Sequence, residues 1–343
     1  VDGILIGTLD DSHAEMAARV MRFGFPIFVE KPVATTWDDL HQLKAVHEAS
    51  GNDKVCVSFP LRTNTRCALV KELIDSGAIG TVEHVQAWEN CHYGGNFFHS
   101  PVRYAGVTGG LFLQKTTHDF DYINYIVGQE PVQICSMVSR QVFKGDKPSG
   151  LRCIECDEKD TCPESTNKFG VVTDDRYCCF NDDHGNEDSG SMIWRYPSGM
   201  HCSFTTNYMV RRKETGRRGA RFIGFKGTLE FDFISGIVTL YKHHSPTVGT
   251  YTVDTEVTDS KGDNELARNF VRVMRGEEEP NAPLETGLMS SLMALKAYES
   301  NRTSTFQDIV WDDALLEHYT ARFEKGGYDY VRSSGPSMNY LSA

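Results

Sequence analysis

The chain opens by alternating short apolar runs with longer amphipathic ones: "GILIGT", "SHAEMAARVMRFG", "FPIFVE", "TTWDDLHQLKAVHEASG" and "KVCVSF". This order restricts the fold more than any other feature, because short strands that alternate with helices pair in parallel and need those helices to cover them. Thr36 with Asp39 three residues on is a helix-start signature, and Gly51 is the matching stop. The loop from Pro32 to Thr36 therefore leaves the carboxyl end of a parallel strand, the edge of such a sheet where ligands bind. It starts with a charged pair and a proline, Glu30-Lys31-Pro32, set directly behind an apolar run.

Beyond about Gly80 the pattern changes. Strand-like segments "TVEHVQAWEN", "VQICSMVSRQVF", "GSMIWRYP", "MHCSFTTNYM", "ARFIGFKGTLEFDF" and "IVTLYKHH" follow one another across Gly- and Pro-containing turns, interrupted by a helix from about Gly110 to Gly128. They predict a large, mostly antiparallel open β-sheet. Apolar residues return at helical spacing in "DNELARNFVRVMRG" and "LETGLMSSLMALKAYESNR". The fold class expected is α/β plus α+β, a partial Rossmann-type parallel sheet followed by a domain built on the antiparallel sheet. The expected limits are 1–60 for the first part, 61–308 for the second with an insertion at about 145–180, and 309–343 for a carboxyl tail. Past Tyr330 the tail reads as an arm or as disordered, and the mid-strand start at Val1 leads us to expect further sheet ahead of it.

A formal net charge of -12 repels polyanions, so nucleic acid is not an expected partner. The one basic run, Arg211 to Arg218, sits between two strand-like segments and reads as a solvated hairpin loop rather than a phosphate-binding surface. No apolar stretch is long enough for a bilayer and the amino end lacks a secretory layout, so no membrane role is expected. Of ten cysteines, Cys56, Cys67, Cys135 and Cys202 stand singly in apolar surroundings, as buried thiols do in a reducing, cytoplasmic compartment.

Others cluster. Cys153, Cys156 and Cys162 form C-x2-C-x5-C in a charged, turn-rich insertion, followed by Cys178 and Cys179. Small-hydrophobe packing does not explain thiols in such loops. A structural zinc on Cys153, Cys156, Cys162 and Cys178 would fold an insert with little core of its own; an iron-sulfur cluster, or free or disulfide-bonded thiols, are the other readings. In "QKTTHDFDYINYIVG", Phe120, Ile123 and Val127 make an apolar stripe, and helical spacing puts Lys115, His118 and Tyr122 on the opposite face. The loop "ENCHYGGNFFHSPVRY" adds His92, Tyr93, His99 and Arg103, which could hydrogen-bond a polyol or an anionic substrate.

Three segments taken in order resemble the Gfo/Idh/MocA family of NAD(P)-dependent sugar and inositol dehydrogenases. They are "ILIGTLDDSHAEMAARVMRFGFPIFVEKPVATT", "GGLFLQKTTHDFDYINYIVG" and "LETGLMSSLMALKAYESNRT". Many members have an aspartate four residues before the helix histidine; Gln114 stands there here, and a branch with a Lys-x-x-His-Asp helix and a cysteine-rich insertion is the more similar. The resemblance implies hydride transfer between NAD or NADP and a secondary hydroxyl carbon of a sugar, inositol or glycoside. It implies that Thr8, His13, Glu30, Lys31 and Pro32 face the cofactor, with Glu30 holding Lys31, and that His118, with Lys115 as companion, takes the hydroxyl proton while Lys31 favours the developing alkoxide. It further implies His92, Tyr93, His99, Arg103 and Tyr122 at the substrate, and a homodimer or homotetramer joined through the open sheet. An NAD-using lyase or glycosidase-like member and a non-catalytic sugar sensor or scaffold are the rival readings. The chain contains no G-x-G-x-x-G, so the phosphate-binding turn is expected in roughly sixty residues ahead of Val1, two βα units of about thirty each, with weak NAD binding without them.

Overall fold

A computed structural model of the chain describes residues 1–166, 176–253, 261–324 and Tyr330. β1 (Ile4–Ile6), α1 (His13–Met21), β2 (Ile27–Val29), α2 (Trp37–Ser50) and β3 (Val55–Val57) build a three-stranded parallel sheet in the order β1-β2-β3. The expected helix start is present: the Thr36 hydroxyl accepts from the Asp39 N–H at 3.1 Å, and Gly51 closes α2 at φ 60°.

The chain continues through α3 (Pro60–Thr63), α4 (Thr65–Asp75), β4 (Val82–Asn90), α5 (Asn96–His99), α6 (Ala105–Thr108) and α7 (Thr117–Val127). Strands follow as β5 (Gln133–Ser139), β6 (Ser189–Arg195), β7 (His201–Asn207), β8 (Arg217–Gly224), β9 (Gly227–Asp232), β10 (Ile237–Lys242) and β11 (Val248–Thr252). The described chain ends with α8 (Asp263–Met274), α9 (Leu284–Thr303), β12 (Gln307–Asp308) and α10 (Asp313–Glu324). The nine strands order as β11-β10-β9-β8-β4-β7-β6-β5-β12, and every pair is antiparallel except β4 with β7.

Two expectations change. "ARFIGFKGTLEFDF" is a tight hairpin of β8 and β9 that turns at Phe225 and Lys226, rather than one long strand. The basic run is not a solvated hairpin loop: β7 and β8 flank β4 instead of pairing, Arg211 pairs with Glu164 at 2.7 Å, and Arg217 and Arg218 belong to β8.

Along β4 the alternation is regular, with Val85, Ala87 and Glu89 facing the covered side and Gln86 and Trp88 the open one. α7 and α9 cover the inner face, and Phe120 meets Trp194 edge-on at 5.4 Å. α9 is buried almost all round because it runs between the two sheets. Near its start, a Cβ on Gly287 would come within 2.7 Å of Val33 and 3.0 Å of Val57. Near its end, Ser300 Oγ accepts from the Ser136 N–H at 3.0 Å. One continuous apolar core runs from Ile6 to Ile309. α10, in what was expected to be a tail, packs on α2 and its Tyr319 hydroxyl donates to Asp38 at 3.0 Å; the arm past Tyr330 lies outside the described residues. No described helix is long and apolar enough to cross a membrane.

Candidate active site

Two loops meet at the carboxyl end of the parallel sheet. After β1 the chain passes Thr8 into a short 3-10 turn, Asp10–Ser12. After β2, the Glu30 backbone N–H donates to the Ile6 carbonyl at 2.9 Å, and a cis peptide joins Lys31 to Pro32. His13 ties the loops together, with Nδ1 2.8 Å from the Pro32 carbonyl oxygen and Nε2 3.1 Å from that of Thr8. Only 1% exposed, His13 is a clamp under these loops, which corrects its assignment as a cofactor contact. Thr8 is exposed, and its hydroxyl accepts from Ser12 at 2.7 Å.

The Lys31 ammonium donates to the Gln114 carbonyl. Burial lowers its pKa to about 8, and of the carboxylates that oppose this, Asp10 acts more strongly than Glu30. Asp10 is pushed up by burial and drawn back by Lys31, and it takes a hydrogen bond from the Gln114 side chain. Its Oδ2 has no partner among the described residues. Lys31 is thus held by the backbone carbonyl of Gln114, with Asp10 the stronger of the two opposing charges, and the departure at position 114 bears on Asp10, the group its side-chain amide serves.

The helix that faces them begins irregularly. Gly110 sits at φ 102°, and a Cβ there would lie 2.1 Å from the Tyr298 hydroxyl, so glycine is needed for α9 to approach. Phe112–Thr116 then form a π-helical turn ahead of α7, its Phe112 N–H donating to Glu187 at 3.0 Å and to Tyr298 at 2.8 Å. Such turns carry wider hydrogen bonds and recur at functional sites. Here the turn takes Lys115 out of line with His118. The Lys115 ammonium donates to the Tyr93 hydroxyl at 2.9 Å and stands 3.5 Å from Glu89. Burial and Arg218 would lower its pKa, but Glu89 and Tyr93 outweigh them and raise it. Lys115 acts on His118 through its charge and not as a hydrogen-bonded companion.

His118 is half-buried, meets Phe59 edge-on at 5.9 Å, and its Nδ1 has no partner among the described residues. Burial, then Lys31, Arg218 and Lys115, hold its pKa well below the usual histidine range. It is therefore a neutral imidazole at working pH, in a field that is positive on several sides.

Sequence reasoning missed what balances that field. Arg218 Nε and Nη2 donate to Asp119 at 3.0 and 2.8 Å, and Arg218 stands 3.5 Å from Glu89. Glu89, Arg218, His92 and Tyr93 line a cavity of about 170 Å³ with Leu61 and Phe233. A charged residue at the buried phase of an alternating strand was the available signal for Glu89; Arg218 was hidden in the basic run.

The other predicted substrate contacts divide. His92 lines the cavity and Tyr93 reaches Lys115. Tyr122 does not reach the site: it lies deeper along α7, fully buried between Phe231 at 5.8 Å and Phe233 at 5.4 Å. Arg103 is fully buried on Asn181 and Asp183, and His99 places Nδ1 2.6 Å from the Tyr177 carbonyl oxygen. Both are tied to the end of the insertion and the residues just after it rather than to the cleft. Cys153, Cys156, Cys162 and Cys178 do line one small cavity, together with His99. All ten cysteines are free, which removes the disulfide reading within the chain. Burial would raise the Cys153 thiol, but the His99 contact at 3.8 Å helps bring it to about 7. Among the described residues no three His, Cys, Asp or Glu side chains are grouped as a metal ion would need.

The strand-end loops thus bring the Lys31 ammonium to the π turn that leads into the helix carrying His118. Residues 1–59 match the model of the oxidoreductase family with an NAD-binding Rossmann fold, and residues 67–230 match the GFO/IDH/MocA C-terminal domain. The chain belongs to the Gfo/Idh/MocA family of oxidoreductases. It is 27% identical to the putative oxidoreductase YteT of Bacillus subtilis over 47% of this chain and 40% of that one. It is 31% identical to inositol 2-dehydrogenase of Rhizobium meliloti over 44% of each chain, so it spans less than half the length of both relatives. An oxidoreductase domain protein from Kribbella flavida shares the fold, with a TM-score of 0.71 at 18% identity over 90% of this chain and 80% of that one.

Proposed function

We propose that this chain serves an NAD(P)-dependent dehydrogenase that moves hydride between nicotinamide and a secondary hydroxyl carbon of a sugar, inositol or glycoside. The observation that carries the reading is the neutral His118, its Nδ1 unpartnered, in a field set by Lys31, Lys115 and Arg218. The inositol dehydrogenase relative supports the substrate class. Bound at the carboxyl end of the parallel sheet, NAD(P) supplies the hydride acceptor. Thr8, Glu30, Lys31 and Pro32 would hold it, and the unpartnered Asp10 Oδ2 and half-buried Lys31 ammonium fit a polar ligand there.

In this reading His118 takes the proton of the reacting hydroxyl. The positive field keeps the imidazole unprotonated at a cost in basicity, and it stabilises the alkoxide as it forms, so its gain lies on the oxygen that loses the proton. The family models support a boundary near residue 60 between the cofactor and substrate parts, since they cover 1–59 and 67–230.

The test is a pH profile. Because burial lowers Lys31 to about 8, its charge is present below that pH and lost above it, so kcat/KM should fall on the alkaline side near pH 8. Lys31→Arg should remove that limb, since a guanidinium stays charged. A profile flat to pH 10 would remove Lys31 from the chemistry, and failure of full-length protein to reduce NAD(P) with any polyol would remove the whole reading.

Two further parts of this proposal share one measurement. The sheet's open face carries Met137 at 76% and Ile193 at 43% exposure, which supports an oligomer formed through it. The thiols of Cys153, Cys156, Cys162 and Cys178 line one cavity without being grouped as a metal ion needs, so a structural zinc there rests on the C-x2-C-x5-C spacing. Native mass spectrometry of anaerobically purified protein is expected to show a multiple of the chain mass with one zinc per chain. A bare single-chain mass removes both.

A further inference from the structure

The cavity of about 170 Å³ beside Lys115 has an unequal supply of partners. Arg218 is taken by Asp119, at 3.0 and 2.8 Å, and stands 3.5 Å from Glu89. Arg217, the other guanidinium on its wall, is 3.2 Å from Glu230 and 3.6 Å from Asp232, and it lies 4.7 Å over the Trp88 ring. Lys115, next to the cavity, is taken by the Tyr93 hydroxyl at 2.9 Å and stands 3.5 Å from Glu89. Every cation here already has a carboxylate. Two polar atoms on the wall are left over, His92 Nδ1 and an acceptor that carries a charge: Glu89 is 1% exposed, its Oε1 faces Lys115 and Arg218, and its Oε2 is buried with no hydrogen-bond partner among the described residues. A buried carboxylate oxygen without a donor costs roughly 1–3 kcal/mol, more for a charged group, and a ligand that donates to it recovers that.

We propose that Glu89 Oε2 accepts a hydrogen bond from a hydroxyl of the substrate, away from the reacting carbon, so that the site takes neutral polyols and rejects sugar acids and sugar phosphates. The inference rests on the dehydrogenase reading above and narrows its substrate class. An anionic substrate would bring a second negative charge against Glu89 in a recess with no uncommitted cation to receive it, and like charges at close range discriminate strongly against the wrong ligand. A neutral hydroxyl meets no such penalty, and the site's unpaired acceptor favours it over an analogue lacking the group.

The experiment is calorimetric titration of full-length protein, and of its Glu89→Gln variant, with glucose, myo-inositol and glucuronate. Glucose and glucuronate differ only in the carboxylate. Wild-type protein is expected to bind at least one neutral probe at least tenfold more tightly than glucuronate. Glu89→Gln should shrink that ratio tenfold or more, chiefly by tighter glucuronate binding, because the amide carries no charge and presents donors. Glucuronate bound as tightly as the neutral probes, a ratio unmoved by Glu89→Gln, or no binding of any probe would each overturn the proposal. Turnover separates the two readings. Discrimination without NAD(P) reduction would sink the dehydrogenase and keep the subsite, whereas polyol turnover with an unmoved ratio would do the reverse.

Discussion

Replacing His118 by Asn is expected to lower turnover by about 10²–10⁴-fold, the range a positioned base contributes, with the fold intact. The imidazole is half-buried, its Nδ1 supports no hydrogen bond among the described residues, and its one ring contact is edge-on with Phe59 at 5.9 Å. Little of the structure therefore depends on it. Asn keeps a polar side chain of similar reach but cannot take up a proton. The thermal midpoint should move by no more than a few degrees, while kcat and kcat/KM fall together, as for a group that acts in the transition state. Undiminished turnover would remove His118 as the base, and a large loss of thermal stability would make it a structural residue.

The second large effect is on stability. Arg218→Met should destabilise the fold by about 3–5 kcal/mol, the cost of breaking a buried pair by removing one partner. Asp119, fully buried, would lose both charge-assisted bonds, and Glu89 would keep only Lys115. Burial already pushes the Asp119 carboxyl up against the pull of Arg218, so its charged form depends on that guanidinium. The double variant Arg218→Met with Asp119→Leu should recover part of the loss, because it strands no charge. Urea midpoints measure this directly. A single-variant cost below about 1 kcal/mol, the scale of exposed pairs, would mean that the pair is solvated and carries no structure.

The elements legible in the sequence were those set by local chemistry. The parallel β1-β2-β3 unit followed from alternation, the start and stop of α2 from Thr36, Asp39 and Gly51, and Lys31 at a strand end from its apolar lead-in. What failed was set by contacts distant in the chain. Helical spacing aligned Lys115, His118 and Tyr122, but a π turn redirected Lys115 toward Tyr93, and Phe231 and Phe233 drew Tyr122 into the core. His99 and Arg103 looked like ligands for a cleft until the end of the insertion and the residues just after it supplied Tyr177, Asn181 and Asp183. Arg218 became visible only once strand order placed β8 beside β4, where Glu89 and Arg218 are opposite each other in the register. Spacing reports which face of an element a side chain occupies, and not what the rest of the chain brings to that face.

The helix α9, already seen to touch both halves of the molecule, also acts as a gauge. Its 20 residues make a rod about 30 Å long. At one end Gly287 seats against Val33, two residues past Lys31; near the other the Tyr298 hydroxyl holds the π turn that carries Lys115. The spacing between the ammonium-bearing loop and the imidazole-bearing helix is thus fixed by a packed rigid body rather than by a hinge. A bulky change at Gly287 would therefore alter the alignment of Lys31 with His118 before it altered the chemistry of either side chain.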